Sequence, residues 1–284
     1  MGKDDKNGIL PTFLGLGVQK GGTTWLYELL KSHPDVYLPE YRKEMHFFDN
    51  DEYYSRGQRW YRSFFPSRKK AVGFSDVGEI TPKYIFDEKV PARVKKYLPH
   101  AKFIVVLRNP VDRFVSAYKY GVQNGATWSF SRFYHHNRNA FERGLYSKQL
   151  ERWFSYFSRD RFLILFFEEA IEDPEVAKRQ LSEFLDVKRS GFPDSVSKKN
   201  ASFDTRFKRL YRRIKKSSKW LRRKGLDIVV ETLKPVIERL FAKKTSSYQI
   251  DQRLVRQLYR DYENEIARLE KLLGRDLYIW REQK

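Results

Sequence analysis

Eight residues near the start, Val18-Gln19-Lys20-Gly21-Gly22-Thr23-Thr24-Trp25, are of the types that hold an anion. Paired glycines let the backbone turn sharply and approach a ligand. A helix starting behind them would aim its first amides and the positive end of its dipole at that ligand. Lys20 adds a point charge, and Thr23 and Thr24 add hydroxyl donors. The pattern describes a phosphate cradle. It is not the G-x-x-x-x-G-K-[ST] loop, because Lys20 precedes the glycines. An ordinary glycine turn between strand and helix is the alternative for these residues alone.

A second group, Leu107-Arg108-Asn109-Pro110-Val111-Asp112-Arg113-Phe114-Val115-Ser116-Ala117-Tyr118, puts Arg108 at the carboxyl end of an apolar run. Ligands bind at that edge in open α/β sheets. Ser116 falls two turns into the helix that Asn109 caps and Pro110 opens. One anion could meet both side chains only by lying beside that helix. Pairing of Arg108 with Asp112, and Ser116 as a small packing residue, are the alternatives.

The elements that must position these residues follow from pattern. Short apolar runs alternate with helical periods, as in a parallel sheet with crossover helices. Strands are expected at Thr12 to Val18, Ala71 to Ser75, Lys102 to Leu107 and Arg161 to Phe167. Helices are expected at Thr23 to Lys31, Val90 to Tyr97, Tyr146 to Phe157, from the Asp173-Pro174 cap to about Leu185, and at Gln252 to Leu273, closed by Gly274. The fold class is therefore α/β: a P-loop-like open parallel sheet flanked by helices, with a basic helical C-terminal region. One domain, 1–284, is expected, with a nucleotide-binding core at 1–197 and a helical extension at 198–284.

Charge sharpens the list of partners. The chain has 284 residues, with 57 Lys and Arg against 36 Asp and Glu, a net charge of +21. Hydrophobic residues at 40% are too many for a disordered polycation. Residues 198–244 hold 17 basic against 4 acidic residues, so +13 of the excess is local. Within Thr205 to Leu226 there are eleven basic residues and no acid. Such a run is most often a solvated face, but its self-repulsion would be relieved by an anionic glycan, a lipid headgroup or a nucleotide. There are no cysteines, which excludes disulfides and thiolate chemistry. No His, Asp or Glu group has metal-ligand spacing, so no metal is expected. No run approaches the roughly 18 apolar residues of a membrane span. Asp4 and Asp5 before Ile9 are the wrong charge for a secretory leader. A cytoplasmic protein, with peripheral contact to an anionic membrane, is the expectation, although a catalytic fragment of a longer anchored chain would read the same.

The two motifs together, in this order and on these elements, resemble the sulfotransferase family that uses 3′-phosphoadenosine 5′-phosphosulfate (PAPS). The resemblance implies that Lys20, Gly21, Gly22, Thr23 and Thr24 grip the 5′-phosphosulfate and that Arg108 and Ser116 take the 3′-phosphate. Trp25 stands where cytosolic small-molecule members carry a tryptophan against the adenine. Further segments look like landmarks of the heparan sulfate branch, in a bacterial-type member: His33-Pro34-Asp35-Val36, Lys43-Glu44-Met45-His46-Phe47-Phe48-Asp49, Trp60-Tyr61, Glu79-Ile80-Thr81-Pro82-Lys83-Tyr84 and Val90-Pro91-Ala92-Arg93-Val94. The similarity covers about Pro11 to Asp186. It implies Glu44 as general base, with His46 the second candidate, and Lys199 among the basic residues of a later cofactor loop. One departure is that Ile80 stands where the branch commonly has lysine, which puts a second catalytic cation in doubt. The branch's C-terminal cysteine pair is absent.

The implied activity is in-line transfer of the sulfuryl group from PAPS to a hydroxyl, less favourably an amine, of a carbohydrate-like and possibly lipid-linked acceptor, with PAP as product. That chemistry needs a base for the acceptor proton and positive charge where the leaving phosphate develops its own. A surface ion pair with Lys43 or Arg42 is the plain alternative for Glu44, and a packed, hydrogen-bonded ring for His46. The competing class is a non-enzymatic polyanion or membrane-surface binder using the basic helix 205–226, whose affinity would fall steeply with salt. A nucleotide kinase is weaker, since the lysine spacing fails.

Overall fold

The apolar runs around residues 15, 105 and 164 become three adjacent strands of a parallel sheet. The computed structural model describes residues 8–194, 204–205, 226, 233, 242–243 and 248–282. The strands are β1 Phe13–Gly17, β2 Val36–Tyr37, β3 Asp76–Ile80, β4 Lys102–Leu107 and β5 Phe162–Phe166. They stand in the order β2-β3-β1-β4-β5, and every pairing is parallel. With β1 at the centre and the chain moving to either side of it, the carboxyl end of β1 opens into the crevice where such sheets bind ligands.

Helices among the described residues are α1 Thr23–Lys31, α2 Asp51–Ser55, α3 Gly57–Arg62, α4 Arg68–Ala71, α5 Val90–Tyr97, α6 Pro110–Gln123, α7 Phe130–His136, α8 Arg138–Glu142, α9 Tyr146–Phe154, α10 Phe167–Glu172, α11 Pro174–Leu185 and α12 Gln252–Leu273. α1 ends where Pro34 disfavours helical geometry in His33, and the Ser32 hydroxyl bonds back to the Glu28 carbonyl at 2.8 Å. Asp173 starts α11 by accepting from the amides of Glu175 and Val176, as the Asp-Pro pair predicts. Asp251 and Gly274 close the two ends of α12.

The residues group into two units, one drawn from Met1–Asn109 and Tyr146–Ser197, the other from Pro110–Leu145 and Lys198–Lys284. In the first, Leu26, Leu29 and Leu30 of α1 and Leu181 and Leu185 of α11 pack with Phe13, Ile104, Val106 and Leu165 of the sheet. Each such buried side chain stabilises the fold by about 1.5–3 kcal/mol. In the second, Phe114 and Tyr118 of α6 meet Phe133 and Phe130 of α7 edge-on, at 4.9 and 5.1 Å between rings. Tyr262 of α12 stacks on Phe141 at 4.5 Å. A two-residue antiparallel pair, β6 Asp204–Thr205 with β7 Ala242–Lys243, also belongs to it.

One strand was misplaced by pattern. Ala71 to Ser75 is not extended: Ala71 ends α4, and β3 begins at Asp76. The true strand carries two acids, Asp76 and Glu79, and both are buried. Each has partners that no periodicity reveals: Thr12 Oγ1 donates to Asp76 at 2.6 Å, and three hydroxyls surround Glu79. The basic segment 205–226 and Lys199 lie outside the described residues, apart from Thr205 and Leu226 at its ends. No helix among the described residues is long and apolar enough to cross a membrane.

Candidate active site

The cradle forms at the carboxyl end of β1. The Val18 amide bonds the Val106 carbonyl at 2.9 Å, which ties the start of the turn to β4. Lys20 and Gly22 both take left-handed backbone, at φ 68° and 99°. Only glycine does so without cost, and at Gly22 a Cβ would also run into the Phe167 ring. Gly22 caps α1 with no side-chain hydrogen bond, so the first turn of the helix faces the cradle with its own amides. Thr23 is buried and Thr24 half-buried. Trp25 is half-buried, packed against the core under α1.

Three cations converge here. Burial lowers the Lys20 ammonium below its ordinary value, and the charges of Arg108 and Lys43 lower it further, against a smaller opposing effect of Glu44. Lys43 donates to Thr24 Oγ1 at 2.7 Å, so the cation before Glu44 touches the cradle itself. Arg108 leaves the end of β4, bonds the Lys20 carbonyl at 3.4 Å and lies over the Phe167 ring at 5.0 Å. The backbone at that strand end is pinned twice. Tyr146 Oη donates to the Arg108 carbonyl at 2.8 Å, and the Asn109 amide donates to Glu168 at 2.9 Å. Ser116 lies in α6, which belongs to the other unit.

Glu44 and His46 sit on an irregular segment beside this cluster. His46 is clamped: Nδ1 meets the Asp49 carboxylate at 3.1 Å and Nε2 meets Glu44 Oε2 at 3.2 Å. Burial would lower the imidazole, but the bonds and charges of Asp49 and Glu44 outweigh it and push His46 up to about 9. Burial likewise works to raise Glu44, yet the His46 bond and charge and the Lys43 charge hold its carboxyl below the usual range. Their side chains remain 37% and 34% exposed, which leaves room for a second molecule. Lys83 Nζ meets the same Asp49 oxygen, Oδ2, at 2.9 Å.

Of the two partners considered for Glu44, Lys43 acts on it through its charge, while Arg42 is buried over the Tyr53 ring at 4.5 Å. Ile80 points into the core and is fully buried. The cation at this end of β3 is Lys83, three residues further on. Asp49 and Lys83 join the site although the sequence offered them only as landmarks, and Lys43, considered only as an ion-pair partner for Glu44, reaches the cradle. Their polar types within the Lys43 to Asp49 segment and after Thr81-Pro82 were the available signal.

Comparison with known proteins places this geometry. A sulfotransferase domain model matches residues 11–227. Mouse (Mus musculus) heparan sulfate glucosamine 3-O-sulfotransferase 5 is 31% identical over 212 residues, covering 69% of this chain and 57% of its own. Mouse heparan sulfate glucosamine 3-O-sulfotransferase 3B1 is 35% identical over 190 residues, covering 63% and 47%. The chain thus spans about half the length of these curated relatives. The crystal structure of a sulfotransferase from Alicyclobacillus acidocaldarius superposes with a TM-score of 0.68 at 25% identity, over 96% of this chain and 100% of that one. A cationic cradle at the switch point of a parallel sheet, with a carboxylate on its rim and a family match over three quarters of the length, has one reading: the chain belongs to the sulfotransferase family.

Proposed function

We propose that this chain moves the sulfuryl group of PAPS to a hydroxyl of a glycosaminoglycan-like acceptor. One observation carries the reading: three cations, Lys20, Lys43 and Arg108, converge at the start of α1, Lys43 bonded to Thr24 Oγ1 and Arg108 to the Lys20 carbonyl, with Glu44 next to Lys43 on the same segment. Burial, and after it the charges of Arg108 and Lys43, lower Lys20; an anion would relieve that repulsion, so these residues fit a phosphosulfate. Lys20, Gly21, Gly22, Thr23 and Thr24 would hold its 5′ end, and Arg108 the 3′-phosphate. PAPS supplies an activated sulfuryl group whose leaving group is a phosphate.

Glu44, with Oε2 bonded to His46, takes the acceptor proton on its carboxylate while the acceptor oxygen attacks sulfur in line. Lys20, Lys43 and the first amides of α1 stabilise the charge that collects on the departing phosphate oxygen. A carboxylate held below its usual range is the weaker base for it, and the His46 and Lys43 contacts keep it ionised against the burial that would raise it. At about 9, His46 keeps its proton and serves to orient and charge-balance Glu44 rather than to accept a proton. The heparan sulfate relatives favour a sugar hydroxyl as the acceptor.

The test is direct. PAP at a hundredfold excess over its dissociation constant should stabilise the fold by about 2.7 kcal/mol, read as a thermal shift. Labelled PAPS with a panel of glycans should give a sulfated product. Glu44→Gln should keep the thermal shift and lose transfer; retained turnover removes Glu44 as base, and no shift with PAP removes the sulfotransferase reading.

A further inference from the structure

The segment that carries Glu44 and His46 has no regular secondary structure, yet Met45, Phe47 and Phe48 within it are fully buried. His46 adds strain, since its φ of 53° is a left-handed conformation that a histidine adopts only when its surroundings enforce it. Four successive amides here find their partners on two oxygens of another chain segment. Thr81 Oγ1 accepts from Met45 N at 3.0 Å and His46 N at 3.4 Å, and Tyr84 Oη accepts from Phe47 N at 2.9 Å and Phe48 N at 3.4 Å. Both hydroxyls also contact Glu79. Thr81 donates to Oε2 at 2.7 Å, Tyr84 to Oε1 at 2.9 Å, and Tyr61 to Oε1 at 2.8 Å.

Hydrogen-bond direction links these layers. A hydroxyl has one proton, and an ionised carboxylate only accepts. With Glu79 ionised, Thr81 and Tyr84 each spend that proton on it and must turn lone pairs to the amides. Were Glu79 neutral with its proton aimed at Thr81 or Tyr84, that hydroxyl's own proton would have to point at a backbone N–H. The ionised form lets all three hydroxyls donate to the carboxylate at once. Burial raises the Glu79 carboxyl above its ordinary value, and the three hydroxyls counter that. Glu79 is completely buried, so it cannot touch an acceptor.

We propose that Glu79 is a positioning residue, a buried carboxyl that fixes the active-site loop through the Thr81 and Tyr84 hydroxyls and so holds Glu44 and His46 in place. This rests on the sulfotransferase reading of Glu44, but the geometry has a readout of its own. In Thr81→Val the Met45 and His46 amides lose their acceptor, and in Glu79→Gln the amide group can no longer accept from all three hydroxyls. A misplacement on the order of 1 Å can cost about a hundredfold in rate. Both variants should lose about ten- to a hundredfold in kcat while PAP binds within about threefold of wild type, because the cradle is held separately by β1 and β4. Thr81→Ser, which keeps the hydroxyl, should restore most of the rate.

The independent measurement is the titration of the His46 ring by NMR. Its midpoint should fall by about one unit or more in Thr81→Val and return in Thr81→Ser, since the ring's bonds to Asp49 and Glu44 depend on the loop. Unchanged kcat and an unchanged His46 titration in Thr81→Val overturn the proposal. So does a loss of PAP affinity in step with kcat, which would mark general collapse. If Glu79→Gln does not fold, the Thr81 pair decides. If wild type sulfates no acceptor, the function reading fails, and the titration alone still supports or overturns the positioning.

Discussion

Asp49→Asn tests how the charges of the site are coupled. The imidazole of His46 is raised from 6.5 to about 9 against burial, by two acids that each supply a hydrogen bond and a charge. Among the raising contributions the Asp49 bond is the largest. The Asn variant keeps the shape of Asp49 and removes its charge, leaving Glu44 alone to oppose burial. The ring should then titrate near its ordinary value, about two units lower, at roughly pH 7. In wild type at pH 8, roughly nine molecules in ten carry the proton; in the variant roughly one in ten does.

Transfer by wild type should therefore hold level from the acid limb of Glu44, which lies below the ordinary carboxylate value, up to an alkaline limb near pH 9. The variant should lose about tenfold between roughly pH 6 and pH 8. The assay is the initial rate with labelled PAPS across about pH 5 to 10 at low acceptor concentration, where kcat/KM reports the free enzyme. A parallel ring titration by NMR identifies the group. A variant profile that superimposes on wild type, or a wild-type limb near 6.5, refutes the coupling. The stability consequence has a fixed sign. A raised His46 stabilises the fold fully below about pH 6.5, and that contribution is lost as pH rises through about 9.

Two further substitutions separate the cradle from its surroundings. Gly22→Ala meets a φ of 99° and the Phe167 ring, so it should cost about 1–2 kcal/mol for the backbone alone and weaken PAP binding about tenfold or more by calorimetry. Gly57→Ala, at φ 76° with nothing within 4 Å, should show the backbone cost without the loss of binding. Lys43→Met removes the cation bonded to Thr24 and should lower kcat about ten- to a hundredfold. It should also raise both Lys20 and Glu44, moving the acid limb of the rate profile upward. A profile that stays in place would detach Lys43 from the site.

Much of this arrangement is legible in the chain, because what the cradle requires is local. Strands such as Lys102–Leu107 are continuous apolar runs, Lys20 to Thr24 are neighbours in one turn, and Pro110 and Asp173 mark helix starts within one or two residues. Arg108 follows from its place at a strand end. What stayed hidden depends on pairs far apart in sequence. Strand β3, Asp-Val-Gly-Glu-Ile, looks like surface until Thr12 is beside Asp76 and Tyr61, Thr81 and Tyr84 are around Glu79.

The same holds for the proton chemistry. The sequence alone determined that a glycine turn carrying Lys20 joins a strand to a helix on a parallel-sheet scaffold, since backbone propensity and side-chain type act over a few residues. Only the tertiary structure decided that Lys43 reaches Thr24, that Lys83 reaches Asp49, and that Asp49 and Glu44 both bond the His46 ring. A pKa and a loop geometry are set by distance and burial in space. Those are quantities that spacing along the chain does not contain.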